Sequence, residues 1–251
     1  MAILKWNLAA AAGALLLLAT PVRAAEVDLA LVMAVDVSAS VDAGEYRLQH
    51  EGIARAFESP AVLSAIAGGH AGAIAATVIE WSDRNKQVVT VPWTRIADKA
   101  SALAFAARVR ATQRSSHGLT AIGDALLASA AAFKLLPDHA ARLVIDLSGD
   151  GMANIGPPPD EVRDALVAQG IVINGLAILA TEPWLSSYYN DYVVGGPGAF
   201  LLEVADFTSF AQAMQQKLIN EIAAQPAPEN DPAGREARPN SRPPTEWAQM
   251  Q

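Results

Sequence analysis

The residues of this chain best suited to metal chemistry follow an apolar segment near its amino-terminal end. Residues 29–35 read Leu-Ala-Leu-Val-Met-Ala-Val, and Asp36, Ser38 and Ser40 come directly after them at intervals of two. In extended backbone, side chains two positions apart point the same way, so one carboxylate and two hydroxyl groups are expected on one side of the chain. This pattern alone is a weak signal, because a polar turn before a helix has the same composition.

Two further oxygen-bearing residues lie in loops that can reach the same place. Thr120 stands at or next to the start of an Ala-rich helix, and Asp150 follows the predicted strand 142–148. Ligands of open α/β sheets bind outside the carboxyl ends of the strands, which is where these loops are expected to meet. The five side chains offer two carboxylates and three hydroxyl groups. This set favours Mg²⁺, with Mn²⁺ or Ca²⁺ as alternatives, and leaves one position for a further anionic oxygen.

Strands and helices that alternate along the chain must position these residues. The predicted strands are 29–36, 73–81, 87–93, 142–148, 171–178 and about 199–204. The predicted helices are about 42–57, 100–111, 121–135, 160–169 and 206–223, with a turn at 65–72 and a short aromatic helix or loop at 184–192. This order predicts an α/β fold with a doubly wound, mostly parallel sheet and helices on both faces. The short connection before strand 87–93 predicts an antiparallel hairpin, and Pro92 indicates that this strand lies at the edge.

The two ends of the chain are separate from the predicted domain, which spans residues 25–224. Residues 1–24 combine a basic start, an apolar segment and small residues before Ala24, which is typical of a cleaved secretory signal peptide. A retained anchor is the weaker interpretation, because the apolar segment is shorter than the roughly 18 to 20 residues that span a bilayer. Residues 225–251 are rich in proline and polar residues, which predicts a disordered tail. The mature protein is therefore expected to be periplasmic or secreted, without a membrane anchor.

Composition excludes several functions. The 251-residue chain has no cysteine, so it has no disulfide, no thiol nucleophile, no thiolate zinc ligand and no site for lipid attachment through cysteine. Its net charge is −8 and its pI is about 5.0. Nucleic acids and anionic membranes bind clustered basic residues, so neither is expected as the main partner.

The five oxygen-bearing residues resemble the metal-ion-dependent adhesion site of the von Willebrand factor A (VWA) domain in order and separation. They are Asp36-x-Ser38-x-Ser40, Thr120 at the start of Thr-Ala-Ile-Gly-Asp-Ala-Leu, and Asp150 followed by Gly151. The resemblance covers about residues 27–223, and the second half is similar to an uncharacterised exported bacterial branch of such domains. It implies a Rossmann-like fold in which Asp36, Ser38 and Ser40 bind Mg²⁺ directly. It also implies that Thr120 and Asp150 bind the ion directly or through water. It also implies a partner protein whose Asp or Glu carboxylate completes the coordination.

Four other residues are expected to surround the metal and to contact the partner: His117, Asn154, Tyr188 and Tyr189. Tyrosine is common at protein interfaces because it is both apolar and polar, and a polar and aromatic rim would supply specificity. A plain loop position remains the alternative for His117, and core packing remains the alternative for the two tyrosines.

Two other functions were considered. A strand-terminal Asp with Mg²⁺ is also found in phosphatases of the haloacid dehalogenase type, which carry a second Asp two residues later as acid/base. This chain has Ser38 at that position, no lysine closely follows Thr120, and there is no Gly-rich phosphate loop, so no enzyme activity is expected. The second alternative is a structural domain with a vestigial metal site, which the complete ligand set disfavours.

Overall fold

The computed structural model describes residues 25–180 and 182–224, so the predictions for residues 1–24 and 225–251 lie outside the described part. The strands are β1 (Glu26–Val27), β2 (Leu29–Asp36), β3 (Ile74–Trp81), β4 (Gln87–Ile96), β5 (His139–Ala140), β6 (Leu143–Gly149), β7 (Ile171–Ile178) and β8 (Leu201–Val204). The helices are α1 (Ala43–Glu58), α2 (Pro60–Ala67), α3 (Lys99–Ala111), α4 (Ile122–Ala132), α5 (Pro159–Val167), α6 (Leu185–Tyr192) and α7 (Phe210–Ala223).

The main sheet has six strands in the order β4-β3-β2-β6-β7-β8. Neighbouring strands are parallel except for β3 and β4, which form the predicted antiparallel pair with β4 at the edge. The predicted fold class, an α/β fold with a mostly parallel sheet, is therefore confirmed. Sequence analysis missed the very short strands β1 and β5, which pair in parallel as a separate two-stranded sheet.

Strand β2 lies at the centre of the fold and is buried along its whole length. Leu31, Met33 and Val35 pack on one face of the sheet with residues of α1, α2, α3 and α7. Val32 and Ala34 pack on the other face with residues of α4, α5 and α6. Because helices cover both faces of the strand, its residues are apolar throughout and do not alternate with polar ones. The strand ends where the covering helices leave room for polar loops.

A capping box begins α1 directly after the Asp36–Ser40 loop. Asp42 Oδ1 accepts hydrogen bonds from the backbone N–H groups of Gly44 (2.6 Å) and Glu45 (2.8 Å). Glu45 Oε2 accepts one from the backbone N–H of Asp42 (2.7 Å). These three bonds fix the point at which the loop enters the helix.

Several predicted boundaries differ from the structure by a few residues, and the starts of α2 and α5 illustrate the causes. The turn predicted at residues 65–72 begins later, because Ser59 and Pro60 start a second helix that continues to Ala67. The Ser59 hydroxyl accepts a hydrogen bond from Ala61 N, 3.3 Å away, and proline suits the first helical position. The helix predicted at residues 160–169 begins one residue earlier, at Pro159, so Asp160 lies in its first turn.

A buried charged cluster joins α7 to the sheet. Lys217 Nζ lies 3.2 Å from Asp146 Oδ1 on β6 and 2.9 Å from Glu221 Oε1 on its own helix. Asn174 on β7 also donates to Glu221 Oε1, at 3.0 Å. Burial and the neighbouring Glu221 raise the pKa of Asp146 to about 7, although Lys217 acts in the opposite direction. Asp146 is thus a structural carboxylate, away from the end of its strand.

Candidate metal centre

Asp36 is held rigidly at the carboxyl end of β2. Its side chain is fully buried, and its Oδ1 accepts a hydrogen bond from the backbone N–H of Ser38 at 2.7 Å. Its backbone carbonyl accepts one from Gln49 Nε2 on α1 at 3.0 Å. The next residue, Val37, donates its N–H to the Trp81 carbonyl at 2.9 Å. Neighbouring elements on both sides therefore position this carboxylate.

The serine hydroxyl groups connect Asp36 to the end of β6. Ser38 Oγ and Ser40 Oγ are 3.2 Å apart, and Ser40 Oγ donates to Asp150 Oδ1 at 2.7 Å. Ser40 is exposed, whereas Ser38 and Asp150 are buried. The structure thus brings together loops that lie 110 residues apart in the sequence, and the cluster opens to solvent at Ser40.

Thr120 belongs to the same cluster through the backbone around it. Its N–H donates to Asn154 Oδ1 at 2.9 Å, and the Asn154 N–H donates back to the Thr120 carbonyl at 3.0 Å. Ala39 N–H donates to the Gly118 carbonyl at 2.8 Å, which joins this loop to the serines. Thr120 Oγ1 lies 4.0 Å from the point that a Cβ on Gly151 would occupy, so it faces the loop after β6. Five side chains form what we call the metal-site cluster: Asp36, Ser38, Ser40, Thr120 and Asp150.

Sequence analysis missed Arg114, which holds the serine loop from behind. One guanidinium nitrogen, Nη2, donates to the backbone carbonyls of Val37 (2.7 Å) and Ser38 (2.6 Å), and Nε donates to the Ser116 carbonyl (3.1 Å). Val37 and Ser38 belong to the loop that carries the predicted ligands Asp36, Ser38 and Ser40, so the arginine fixes the backbone of this loop. An arginine in a polar loop gives no sequence signal for such a contact.

Glu80 is a second residue that sequence analysis missed. It is fully buried on β3, and its Oε2 accepts a hydrogen bond from the backbone N–H of Ser115 at 2.7 Å. Its Oε1 accepts from Tyr46 Oη at 2.8 Å and lies 3.0 Å from His50 Nε2. Burial alone raises the pKa of Glu80, but hydrogen bonds from His50, Ser115 and Tyr46 outweigh it and lower that pKa. The charged form thereby anchors the loop that carries Arg114.

The two carboxylates of the cluster destabilise each other's charged form. Burial, followed by repulsion from Asp150, raises the pKa of Asp36 from 3.8 to about 7, although hydrogen bonds from Ser38 lower it. Burial also raises the pKa of Asp150, against the hydrogen bond from Ser40. Asp36 Oδ2 is buried and has no hydrogen-bond partner among the described residues. A divalent cation would compensate both the repulsion and the unpaired oxygen.

The donor set fits a hard cation. Among residues 25–180 and 182–224, no group of three or more His, Cys, Asp or Glu side chains could hold a metal ion. The metal-site cluster instead combines two carboxylates with three hydroxyl groups. Oxygen ligands of this kind suit Mg²⁺, Mn²⁺ or Ca²⁺ better than Zn²⁺, which prefers nitrogen and sulfur.

The four residues predicted to contact a partner lie in different environments. His117 is exposed in the loop before Thr120, and Asn154 is exposed but bonded to Thr120. Tyr188 is half-buried, and its hydroxyl accepts a hydrogen bond from the Ala153 N–H at 3.2 Å. Tyr189 is fully buried, which excludes direct contact with a partner in this conformation and corrects that part of the expectation.

Comparison with solved structures supports a VWA fold. Proximal thread matrix protein 1 from the mussel byssus is 18% identical with a TM-score of 0.57, over 80% of this chain and 48% of that chain. A von Willebrand factor type A structure from Catenulispora acidiphila is 17% identical with a TM-score of 0.54, over 77% and 42%. The pilus adhesin SpaC from Lactobacillus rhamnosus GG is 12% identical with a TM-score of 0.55, over 78% and 30%. This chain spans about half or less of each of these structures.

Sequence comparison identifies the family. No curated protein matches the chain. A family model described as a protein of unknown function (DUF1194) matches residues 26–226, which include every described residue of the site. The protein therefore has a VWA fold and belongs to the DUF1194 family.

Proposed function

We propose that this protein is an exported, non-catalytic binding module that holds Mg²⁺ at the metal-site cluster and thereby captures an Asp or Glu carboxylate of a partner protein. One observation carries the proposal: within the described part of the chain, buried Asp36 Oδ2 has no hydrogen-bond partner, and it lies in a cluster whose other side chains are all oxygen donors. An unpaired buried carboxylate oxygen is costly, and a bound cation is the compensation that this donor set suits.

The charges of the cluster explain how a partner would bind. Asp36 and Asp150 together balance one divalent cation, while the three hydroxyl groups add no charge. When bound, Mg²⁺ would supply a Lewis acid able to accept one more anionic oxygen. Ser40 lies on the exposed side of the cluster, so a carboxylate can approach from solvent. His117 and Tyr188, both near this opening, would contact the residues next to that carboxylate.

Two of the structural neighbours support a metal-dependent binding function. A second crystal structure of the mussel byssus protein has a zinc-occupied metal-ion-dependent adhesion site, and it is 17% identical to this chain with a TM-score of 0.56. SpaC is described as a pilus adhesin. We carry over from them a divalent metal and a protein ligand, and we propose Mg²⁺ rather than zinc because this cluster offers oxygen alone.

Export is part of the proposal. The pattern of residues 1–24 is that of a cleaved signal peptide, and the neighbours include an adhesin and a matrix protein. In the described part of the chain, no helix has the length and apolar character needed to cross a bilayer. Expression of the full chain in a Gram-negative host should yield periplasmic protein that begins at Ala25. Mass spectrometry that finds an intact Met1 in this fraction would contradict export with cleavage.

Metal titration tests the site itself. At a Mg²⁺ concentration about 100-fold above the dissociation constant, we expect the melting temperature to rise by about 5 °C or more, because only the folded state binds the ion. Asp36→Asn should remove this rise, and Asp191→Asn, which changes an exposed carboxylate outside the cluster, should keep it. Equal responses of wild type and Asp36→Asn would overturn the assigned site. No response of any variant would favour a vestigial site.

Peptide selection tests the partner chemistry. A displayed random peptide library is bound to the immobilised protein in Mg²⁺ and eluted with EDTA. We expect the eluted peptides to share an Asp or Glu whose change to Asn or Gln abolishes binding, since the carboxylate is the proposed metal ligand. Eluted peptides without a required acidic residue would contradict the proposal.

Phosphate ester hydrolysis distinguishes binding from catalysis. The position two residues after Asp36 is Ser38, whose hydroxyl lacks the acid/base function of a carboxylate. We therefore expect no turnover of p-nitrophenyl phosphate in Mg²⁺. Turnover that disappears in Asp36→Asn would replace the binding function with a hydrolase.

A further inference from the structure

Tyr189 carries a buried hydroxyl group that the packing of its ring does not explain. The residue lies on α6, and its side chain is fully buried. Its Oη has no hydrogen-bond partner among the described residues, and the same is true of Asp36 Oδ2. Two buried polar atoms without partners in one region are unusual, because such groups are normally paired.

The surroundings of Gly149 show that these two oxygens lie close to the same point. A Cβ at Gly149 would lie 2.5 Å from Tyr189 Oη and 2.9 Å from Asp36 Oδ2. Both oxygens therefore approach the same point above the end of β6, and any larger residue at this position would displace them. Tyrosine has an ordinary pKa of about 10, so its phenol is protonated at neutral pH and can donate a hydrogen bond.

A second glycine makes room for the ring. A Cβ at Gly175 on β7 would lie 3.2 Å from Tyr189 Cδ1, and closer still to side chains of Leu201 and Val194. Gly175 pairs with Leu147 on β6, two residues before Gly149. The tyrosine ring therefore lies beside Gly175 on β7, and its hydroxyl reaches the end of β6, where it lies near Asp36 of the metal-site cluster.

We propose that Tyr189 is a positioning residue for the metal ligand Asp36: once a cation is bound at the cluster, the Tyr189 hydroxyl donates a hydrogen bond to Asp36 Oδ2, directly or through one water molecule. This inference rests on the proposed function, since it requires a cation at the cluster. Oδ1 of Asp36 is fixed by the Ser38 N–H, and a donor at Oδ2 fixes the other end of the carboxylate. Each carboxylate oxygen has two lone pairs, so both bonds leave lone pairs for a metal.

The role explains why this position is a tyrosine. A phenylalanine would fill the same space beside Gly175 without burying a polar group. A residue that hydrogen-bonds to a metal ligand orients that ligand. Loss of such a residue typically weakens metal binding by about 10-fold to 100-fold. Tyr189 thereby gains a function at the site, although it cannot touch a partner.

Calorimetric titration of the mature protein with Mg²⁺ tests the role. We expect Tyr189→Phe to raise the Mg²⁺ dissociation constant by about 10-fold or more, while its melting temperature in EDTA stays at or above that of wild type. If the tyrosine were merely structural, Tyr189→Phe would change the melting temperature in EDTA and leave the Mg²⁺ dissociation constant unchanged. Tyr192→Phe, on the same helix and outside the cluster, is the matched control and should bind Mg²⁺ like wild type.

A second variant tests the same role of Tyr189 by a substitution at a different residue. Gly149→Ala retains the phenol but forces Tyr189 Oη and Asp36 Oδ2 away from their shared position, so it should weaken Mg²⁺ binding in the same range. If Tyr189→Phe binds Mg²⁺ as tightly as wild type does, the positioning role is overturned and the metal site stands. If wild type itself binds no Mg²⁺ in calorimetry, the proposed function fails, and the inference fails with it.

Discussion

At the scale of single residues, the site is defined by Asp36, a buried carboxylate that forms no ion pair among the described residues. The spacing of Asp36, Ser38 and Ser40 could be found in the sequence, because all three follow one apolar strand. The roles of Arg114 and Tyr189 could not be found in the sequence, because their contacts with this loop depend on how distant elements pack. Sequence reasoning thus finds the donors of the site and misses the residues that hold them.

The raised pKa of Asp36 predicts how the stability of the metal-free protein depends on pH. The folded state holds this proton up to about pH 7, whereas the unfolded chain releases it near 3.8. Between these values the folded state binds more protons, so the contribution of Asp36 to the free energy of unfolding decreases as pH rises from about 4 to 7. In EDTA, urea unfolding should show that the stability of wild type relative to Asp36→Asn falls across this range. Parallel curves for the two proteins would show that Asp36 titrates normally.

Removal of Arg114 tests whether the backbone behind the ligands matters. Arg114→Met leaves the carbonyl groups of Val37 and Ser38 without their donor and frees the serine loop. We expect Mg²⁺ affinity to fall by about 10-fold, as for other residues that orient metal ligands, with the domain still folded. Titration calorimetry measures this change. Arg108→Met, on the exposed surface of α3, is the control, and an equal loss in both variants would mean that charge alone matters.

At the scale of elements, the strands were easier to predict than the boundaries of the helices. Most of the six main strands are apolar and end in turns, so their positions follow from composition, although β4 continues past residue 93, its predicted end, to Ile96. The break at Ser59 and Pro60 was missed, because Ser59 both ends α1 and caps α2 through local bonds that the hydrophobic pattern does not show. The pairing of β1 with β5 was missed because each strand has two residues, too few for any periodicity.

The buried cluster between α7 and the sheet predicts a large loss of stability in one variant. Lys217→Met removes the cation that faces both Asp146 and Glu221 and leaves two buried carboxylates near each other. Breaking a buried ion pair from one side typically costs about 3–5 kcal/mol. Urea unfolding at pH 7.5 should show a loss of this size. The exposed change Lys99→Met should have little effect, and a small loss in Lys217→Met would mean that the carboxylates are neutral in the folded state.

At the scale of the whole molecule, the five side chains of the metal-site cluster come from one strand end and from loops that meet at one end of the main sheet. The α/β class followed from the alternation of strands and helices, and the convergence of the loops followed from the parallel sheet. The distances within the cluster could not be predicted from the sequence, because they depend on the hydrogen bonds of residues such as Asn154 and Glu80. The burial of the two tyrosines could not be predicted either, because nothing in the sequence distinguishes half-buried Tyr188 from buried Tyr189.

The hydrogen bond between Ser40 and Asp150 has a kinetic consequence. It closes a loop of 110 residues, so the two halves of the site come together only after the central strands have paired. Contacts this distant in sequence are expected late in folding, and the folding transition state would then lack a complete site. Mg²⁺ should therefore leave the refolding rate nearly unchanged and slow unfolding by the full amount of its stabilisation. Stopped-flow experiments in Mg²⁺ and in EDTA measure the refolding and unfolding rates. Faster refolding in Mg²⁺ would show that the site forms early.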